Sequence, residues 1–430
     1  MAVGALTRNG DTPDLGVDSR RRLDVRWRRD HFNYFKKLGI PGPEPSLIWG
    51  NLPEYHSMES YKILGKWIEK YGNMFGFFNG DAPFVVLNDL DFIEYVYVRN
   101  FQNFVDRGFM MMTDQMHPVL GKSVMLVGGS EWKDIRSTVA YSMSAAKLKM
   151  MMPHMEENAD IFIRSLEEHA DTGREFNIVP LLEQLSMDYT ARGAFGIEEH
   201  FQGQPHHPLM KVSREVFRGI MKGPLHMIAQ STTTYRRWMT PFYWLTMLIG
   251  EFTFVKLGKQ TTKIIERRRK DPSGTLDYDT TMRKLKYLGQ FVDETMRLYP
   301  PGLVFVTRRA REDFEYKGIK FKAGTGFMVS TYHLQRNPEF WHNAEVFDPE
   351  RFAPENGASL RKAAYVAFGL GPRNCVGLNF ALLIIKYTFA RLLLKYRLEL
   401  GPSQMGSMEL GAHGMVSTPA RGPWIKLYRV

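Results

Sequence analysis

The sequence predicts a mainly α-helical fold with a small β-rich subdomain. Apolar residues recur at helical spacing from Leu90 to about Phe252, and a long apolar helix is predicted from Val376 to Tyr396. Runs of β-type residues are short and lie before and after the first helical stretch. Hydrophobic residues make up 44% of the 430-residue chain, which is ample for a buried core.

The N-terminal part is predicted to consist of a disordered extension followed by the beginning of the folded domain. Residues 1–30 are polar, mixed in charge and aperiodic, so we expect a disordered extension, with residues 31–430 forming one domain. Met74–Phe78 and Phe84–Leu87 are β-type runs separated by Asn79-Gly80-Asp81, which predicts a β-hairpin. The helical stretch that follows is expected to break at residues 121–130, 171–175 and 202–208.

The C-terminal half predicts a further helix and two strands. Tyr287–Leu298 has helical spacing and is stopped by Pro300-Pro301, because a residue before proline avoids the helical region. Val304–Thr307 and Gly326–Ser330 have strand composition. The chain then becomes irregular until the helix at Val376.

Charge and cysteine content limit the class of protein. The net charge is +11, and eight basic residues lie between Arg20 and Lys37, which fits either a solvated tail or an acidic membrane surface. The single cysteine, Cys375, excludes an internal disulfide and a CxxC redox pair. The longest apolar stretch, Trp238–Gly250, is too short to cross a bilayer.

A glycine-rich loop, residues 368–377, contains that cysteine. Two glycines and a proline predict a tight turn, after which Cys375 would begin the long helix. A helix N-terminus favours a thiolate, and a thiolate is a good ligand for a soft metal. A small buried hydrophobe, a nucleophilic cysteine and a weak dinucleotide loop beginning at Gly369-x-Gly371 are the alternatives.

The loop resembles the cysteine loop of the cytochromes P450, whose pattern is F-x-x-G-x-R-x-C-x-G. Phe368, Gly371, Arg373, Cys375 and Gly377 fill every fixed position. The resemblance implies that residues 31–430 are a haem domain and that Cys375 is the axial ligand of a haem b iron. It also implies that Arg373 contacts a haem propionate and that Phe368 packs beside the sulfur. Thiolate donation to iron favours O–O cleavage.

Two further motifs are similar to those of the same family. Glu294 and Arg297 lie on one helix face, which alone indicates a surface salt bridge, but they resemble the family's E-x-x-R. Pro349–Phe352 resembles its P-E-R-F box, so the resemblance implies a structural network of Glu294, Arg297 and Arg351 beneath the haem.

Other residues resemble the family's propionate-binding groups. Trp132 and Arg136 lie four apart on a helix expected to begin after the N-cap Ser130, and they match W-x-x-x-R. Arg308 resembles an arginine on the strand after E-x-x-R, although Arg309 is its neighbour. Arg107 is a weaker fourth candidate.

The sequence departs from the family in two places. We expect the chain to be without the apolar N-terminal anchor of microsomal members and without the central distal helix, with an internal deletion near residues 273–274. Asp279-Thr280-Thr281 is similar to that helix's acid–threonine pair, but no apolar helix surrounds it, so we reject the match.

The resemblance implies an NADPH-dependent monooxygenase of the animal type that oxidises drugs and steroids. It would insert one oxygen atom of O2 into a small lipophilic substrate. The implied partners are a flavin reductase, a cytochrome b-type donor and a membrane surface, with no nucleic acid. The implied place is the cytoplasmic face of the endoplasmic reticulum membrane, where a chain without the anchor would be peripheral or soluble. A catalytically impaired haem-binding variant and a haem-thiolate isomerase are the alternatives.

Overall fold

A computed structural model describes residues 17–56, 59–108, 122–197, 199–219, 228, 231, 278–304, 306–356, 360–404, 409–413 and 416–430. The prediction of a mainly α-helical fold with a small β-rich part is confirmed. The helices are α1 Val17–Phe32, α2 Tyr34–Lys37, α3 Leu52–Tyr55, α4 Ser60–Tyr71, α5 Leu90–Glu94, α6 Glu131–Ser142, α7 Ala145–Ser165, α8 Val179–Phe195, α9 Pro208–Gly219, α10 Lys286–Leu298, α11 Thr331–Leu334 and α12 Leu378–Lys395. The strands are β1 Met74–Asn79, β2 Ala82–Leu87, β3 Phe176–Asn177, β4 Thr307–Arg309, β5 Phe314–Tyr316, β6 Ile319–Phe321, β7 Gly326–Met328, β8 Tyr396–Leu400, β9 Leu410–His413, β10 Val416–Pro419 and β11 Trp424–Arg429.

A helix that the sequence did not indicate lies in the N-terminal stretch. Residues 17–30 belong to helix α1, residues 1–16 lie outside the described residues, and the disordered extension stays a prediction. Arginine and leucine are good helix formers, and tertiary contacts hold the helix in place. Arg28 donates to the carbonyl oxygens of Leu47 at 3.1 Å and Ile48 at 3.0 Å, and the Trp27 ring stacks on His31.

The β-rich part is built on the predicted hairpin, which is confirmed. Strands β1 and β2 pair antiparallel from Met74–Leu87 to Asn79–Ala82. Strand β2 then pairs in parallel with β7, and β4 completes the sheet in the order β1-β2-β7-β4. The strand expected at residues 304–307 begins instead at Thr307, because Thr307–Arg309 supplies the residues that pair with β7.

A separate hydrophobic core is formed mainly by helices α7, α8 and α12. The buried residues of α7 recur every three or four positions, as one face of a helix requires, and they pack with residues of α8 and α12. Those buried residues are Leu148, Met152, Met155, Ala159, Phe162 and Ile163. The helix predicted at Tyr287–Leu298 is confirmed as α10, within one residue at its start.

Several predictions fall outside the described residues. Residues 232–277, which include the apolar stretch from Trp238 and the junction near 273–274, are among them. Within the described part of the chain, no helix has the length and apolar character needed to cross a membrane.

Candidate active site

The cysteine loop is a tight turn that precedes helix α12. Gly371–Arg373 form one 3₁₀ turn, and the backbone N–H of Cys375 donates to the carbonyl oxygen of Phe368 at 2.7 Å. Helix α12 begins at Leu378, so the prediction that Cys375 starts the helix is wrong by three residues. The extended ψ of 169° at Asn374 carries the chain out of the 3₁₀ turn, and the Cys375 side chain is exposed.

Gly371 has to be glycine for two physical reasons. Its φ is +69°, a conformation that side chains disfavour. A Cβ at this position would also lie 1.9 Å from the carbonyl oxygen of Tyr97. Gly377, by contrast, has nothing within 4 Å of the place of its missing Cβ, so a flat group can approach the backbone there.

Four arginine side chains from separate parts of the chain meet at this loop. Arg107 donates to the carbonyl oxygen of Arg373 at 3.4 Å, and Arg308 donates to that of Leu370 at 3.0 Å. Arg136 donates to Asn374. Arg308 and Arg373 are almost completely buried, with 1% and 2% of their surface exposed. The structure therefore brings together the arginines that the family motifs indicated.

Aromatic rings separate the arginines. The Trp132 ring lies 4.6 Å from the Arg373 guanidinium and 5.6 Å from that of Arg136. Tyr97 covers Arg308 at 4.6 Å and donates its hydroxyl to the carbonyl oxygen of Val306 at 2.8 Å. Sequence analysis missed Tyr97, since no motif or spacing marks it. Helix α6 does begin after Ser130, but the Ser130 side chain makes no capping hydrogen bond.

Burial and mutual repulsion disfavour the positive charges of the four clustered arginines. Burial, together with repulsion from Arg107, lowers the pKa of Arg308 from 12.5 to about 9. Burial and Arg107 likewise lower the pKa of Arg373 to about 9, with Asp106 opposing the shift. Burial lowers the pKa of Arg107 to about 10. A pKa lowered in this way means that the folded chain disfavours these positive charges, which a bound anion would relieve.

The residues fit the haem that the resemblance implies. The Nε atoms of Arg308 and Arg373 are buried and have no hydrogen-bond partner, and such atoms are costly unless a ligand or water meets them. A porphyrin with two propionates supplies carboxylates for buried guanidinium groups, and the open space at Gly377 admits its plane. In the described part of the chain, no group of three or more His, Cys, Asp and Glu residues could hold a metal ion.

A second network lies in the helix α10 region. Arg297 donates from Nε to Glu294 Oε2 at 2.6 Å and from Nη2 to Glu294 Oε1 at 2.7 Å, and both side chains are fully buried. Arg351 approaches Glu294 Oε1 at 3.4 Å. The three residues named from the two motifs are therefore in contact.

Arg297 also ties the irregular segment to α10. Its remaining N–H groups donate to the carbonyl oxygens of Gln335, Ala344 and Val346 at 2.8, 2.7 and 3.2 Å. The irregular chain before the cysteine loop is thus fastened by hydrogen bonds to a charged group.

The position of the Phe368 ring relative to the sulfur is not fixed by a described contact. Its side chain is half-buried, and its carbonyl oxygen accepts from Cys375. Packing of its ring beside the sulfur stays a prediction. Asn374, which sequence analysis did not select, is the loop residue that receives Arg136.

Comparisons with known proteins identify the family of this chain. The sequence profile of the family Cytochrome P450 matches residues 40–279 and 256–426. Cytochrome P450 3A14 of Cavia porcellus is 27% identical over 448 aligned positions, which cover 86% of this chain and 88% of that protein. Lithocholate 6-beta-hydroxylase of Mesocricetus auratus is 26% identical, covering 85% and 86%. Cytochrome P450 3A1 of Rattus norvegicus is 26% identical, covering 89% and 90%.

The alignment with one relative is longer than the part of this chain that it covers. The alignment with the Cavia porcellus protein has 448 positions, whereas 86% of 430 residues is about 370, so roughly 80 positions lie opposite gaps in this chain. The family profile spans almost the whole chain from residue 40, and its fold has the helical core and small sheets described above. The chain therefore belongs to the cytochrome P450 family, the haem-thiolate monooxygenases, which take electrons from NADPH through a reductase.

Proposed function

We propose that this chain holds haem b through Cys375 and inserts one oxygen atom of O2 into a small lipophilic substrate. The observation that supports this best is the meeting of buried, under-neutralised arginines at a loop whose only sulfur is exposed. Thiolate-bound haem iron supplies the oxygen-activating chemistry when it is present. A flavin reductase, with a cytochrome b-type protein as a second donor, would deliver the electrons at the endoplasmic reticulum membrane.

The chain's own residues would each perform a limited task. Arg308 and Arg373 would bind propionates through their unpartnered Nε atoms. Trp132 and Arg136 would close the edge of the site where the propionates bind. Gly371 would allow the loop to approach Tyr97, and Gly377 would allow the haem to approach the loop. Glu294, Arg297 and Arg351 would hold the irregular segment in place without touching substrate.

The substrate class is narrowed by one relative. The relative from Mesocricetus auratus is named as a hydroxylase of lithocholate, which is a steroidal acid. We therefore propose a steroid-like substrate, to be tested beside a smaller apolar compound.

A catalytically impaired form is the second candidate, and the alignment gaps favour it. A chain that lacks roughly 80 aligned positions has lost several helices' worth of sequence. We place the gap between Lys270 and Glu294, where the central distal helix is expected. Such a chain would still bind haem, but it would lose the groups that deliver protons to the oxygen site.

The test begins with the purified full chain loaded with haem. A carbon-monoxide difference spectrum typical of thiolate ligation is expected for the wild type and should be lost in Cys375→Ser. A wild-type band that survives Cys375→Ser would overturn the ligand assignment. Turnover of a steroid with NADPH and reductase separates the active enzyme from the impaired form, and turnover of a peroxide without NADPH would indicate an isomerase.

Haem affinity gives a matched comparison of neighbouring arginines. Arg308→Gln removes a buried charged donor and should weaken haem binding by about tenfold or more, since such hydrogen bonds contribute about 1.5–3 kcal/mol. Arg309→Gln, at the next position of β4, should have a much smaller effect because that side chain is only half-buried. Equal losses in the two variants would contradict the assignment of Arg308.

A further inference from the structure

We propose that Asp106 is a positioning residue, whose carboxylate fixes the turn at Gly128-Gly129 and thereby holds the segments that carry the propionate-binding arginines. The proposal rests on the proposed function, because it takes Arg308 and Arg373 to bind the propionates. Asp106 directly precedes Arg107 in the sequence and belongs to none of the motifs described above.

The carboxylate of Asp106 contacts the chain just before helix α6. Its Oδ1 accepts a hydrogen bond from the backbone N–H of Gly129 at 3.0 Å. Its Oδ2 lies 3.4 Å from the Nε of Arg311, whose side chain is 43% exposed, whereas that of Asp106 is 18% exposed. A charged acceptor on a backbone N–H makes a strong hydrogen bond, while an exposed ion pair contributes little. The contact with Gly129 is therefore the principal one.

The two glycines of the turn fit this contact. Gly129 has a φ of +63°, a conformation that side chains disfavour. A Cβ at Gly128 would lie 2.7 Å from Oδ1 of Asp106, which is closer than van der Waals contact allows. Glycine at position 128 therefore leaves room for the carboxylate, and a larger residue would push it away from the Gly129 N–H.

The turn is continuous with two parts of the haem site. Helix α6 begins at Glu131, two residues after Gly129. On the other side of the turn, Arg373 donates from Nη1 to the carbonyl oxygen of Met125 at 3.3 Å and from Nη2 to that of Val127. A displaced turn would therefore move both the start of helix α6 and the carbonyl groups that orient Arg373.

The backbone of Asp106 fixes a further segment. Its carbonyl oxygen accepts from the N–H of Arg309 at 2.9 Å, and this strand, β4, also carries Arg308. Arg107 follows Asp106 directly, so one residue joins its own segment, β4 and the turn before α6. Since substitution of the side chain leaves the backbone bond in place, variants at position 106 test the carboxylate alone.

The experiment measures the rate at which haem leaves the loaded full chain for a haem-free globin scavenger. Asp106→Ala should raise this rate about tenfold, at the low end of what a hydrogen bond to a charged group contributes, because the Gly129 N–H loses its acceptor. Asp106→Asn should stay within about threefold of the wild type, because its amide oxygen can still accept from Gly129 and only the exposed ion pair is lost.

Gly128→Ala tests the same contact from the other side. Alone, it should raise the rate of haem loss, because the new Cβ displaces Oδ1 of Asp106. In the Asp106→Ala background it should add nothing, since no carboxylate remains to be displaced. Asp313→Ala is the matched control: Asp313 also accepts from a backbone N–H, that of Ala323 at 2.8 Å, and pairs with Lys322, but these partners lie between β6 and β7. The control should lose haem at the wild-type rate.

The outcomes separate this proposal from the proposed function. A wild-type rate in Asp106→Ala or in Gly128→Ala, additive effects in their double variant, or no rescue by Asp106→Asn would overturn the role of Asp106. If Asp106→Ala retains no haem, Gly128→Ala and Asp106→Asn still decide the question. A wild type that holds haem without the thiolate spectrum would overturn the proposed function and leave the order of rates as the test of Asp106, whereas a wild type that binds no haem would overturn both.

Discussion

Replacing Arg297 by methionine tests the buried charge network most directly. Methionine fills a similar length but donates no hydrogen bond. In the native chain, all five N–H groups of Arg297 are used, on Glu294 and on the carbonyl oxygens of Gln335, Ala344 and Val346. The substitution removes these bonds together and leaves the Glu294 carboxylate, which has 0% exposure, without its principal partner.

The size of the effect follows from burial. Arg351 stays near Glu294 at 3.4 Å, and the backbone N–H of Asp348 still donates to it at 2.9 Å, so the carboxylate is not wholly stranded. Breaking a buried pair by removing one partner costs about 3–5 kcal/mol. We therefore expect Arg297→Met to lower the free energy of unfolding by about 3 kcal/mol or more, a large part of the usual 5–15 kcal/mol.

Denaturant unfolding of the haem-loaded chain measures this loss, with Soret absorbance reporting haem retention. Arg361→Met is the matched control, because Arg361 pairs with Asp91 and Glu94 but is 48% exposed. An exposed pair contributes about 0–1 kcal/mol, so the control should unfold almost as the wild type does. If Arg297→Met costs no more than Arg361→Met, the network does not stabilise the fold and the reasoning from burial is wrong.

Three further predictions follow from other residues. Burial, assisted by Arg336, lowers the pKa of His333 from 6.5 to about 4, so between pH 6.5 and pH 4 the unfolded chain binds the proton first and stability falls as pH falls. His333→Asn should remove up to about 3 kcal/mol of that loss, as measured by unfolding at pH 7 and pH 4.5; an unchanged pH dependence would refute it. Gly371→Ala should reduce haem occupancy, because its Cβ would collide with the Tyr97 oxygen; full occupancy by haem assay would contradict this. Arg351→Ala should increase the rate of haem loss, but by less than Arg297→Met does, since Arg351 touches Glu294 at the longer distance; a stopped-flow haem-transfer assay decides the order.

Residues at fixed motif spacing were predictable because their task depends on local geometry. Arg297 lies one helical turn after Glu294, and the helix alone brings the two side chains together. Arg373 lies two positions before Cys375 in a turn whose glycines can be recognised in the sequence. For these residues the sequence contains the necessary spacing, so their local placement could be predicted before any tertiary structure was known.

The contacts that were missed depend on distant parts of the chain. Tyr97 meets Arg308 because its hydroxyl bonds to Val306 and Phe327, in and beside the sheet that contains Arg308, and Asn374 meets Arg136 because helix α6 lies near the loop. Neither pairing leaves a periodic signal. Helix α1 was missed for a similar reason, since its polar residues lack an apolar stripe while Arg28 is held by backbone oxygens far along the chain.

The crowding of like charges in the arginine cluster has a consequence for how the molecule is made. Guanidinium groups from four distant segments repel one another whenever the polypeptide closes around them without an anion. A ligand that supplies carboxylates removes this repulsion only in the closed state, so binding and folding become one coupled equilibrium. The cellular supply of the prosthetic group would then govern how many newly synthesised chains reach the native form.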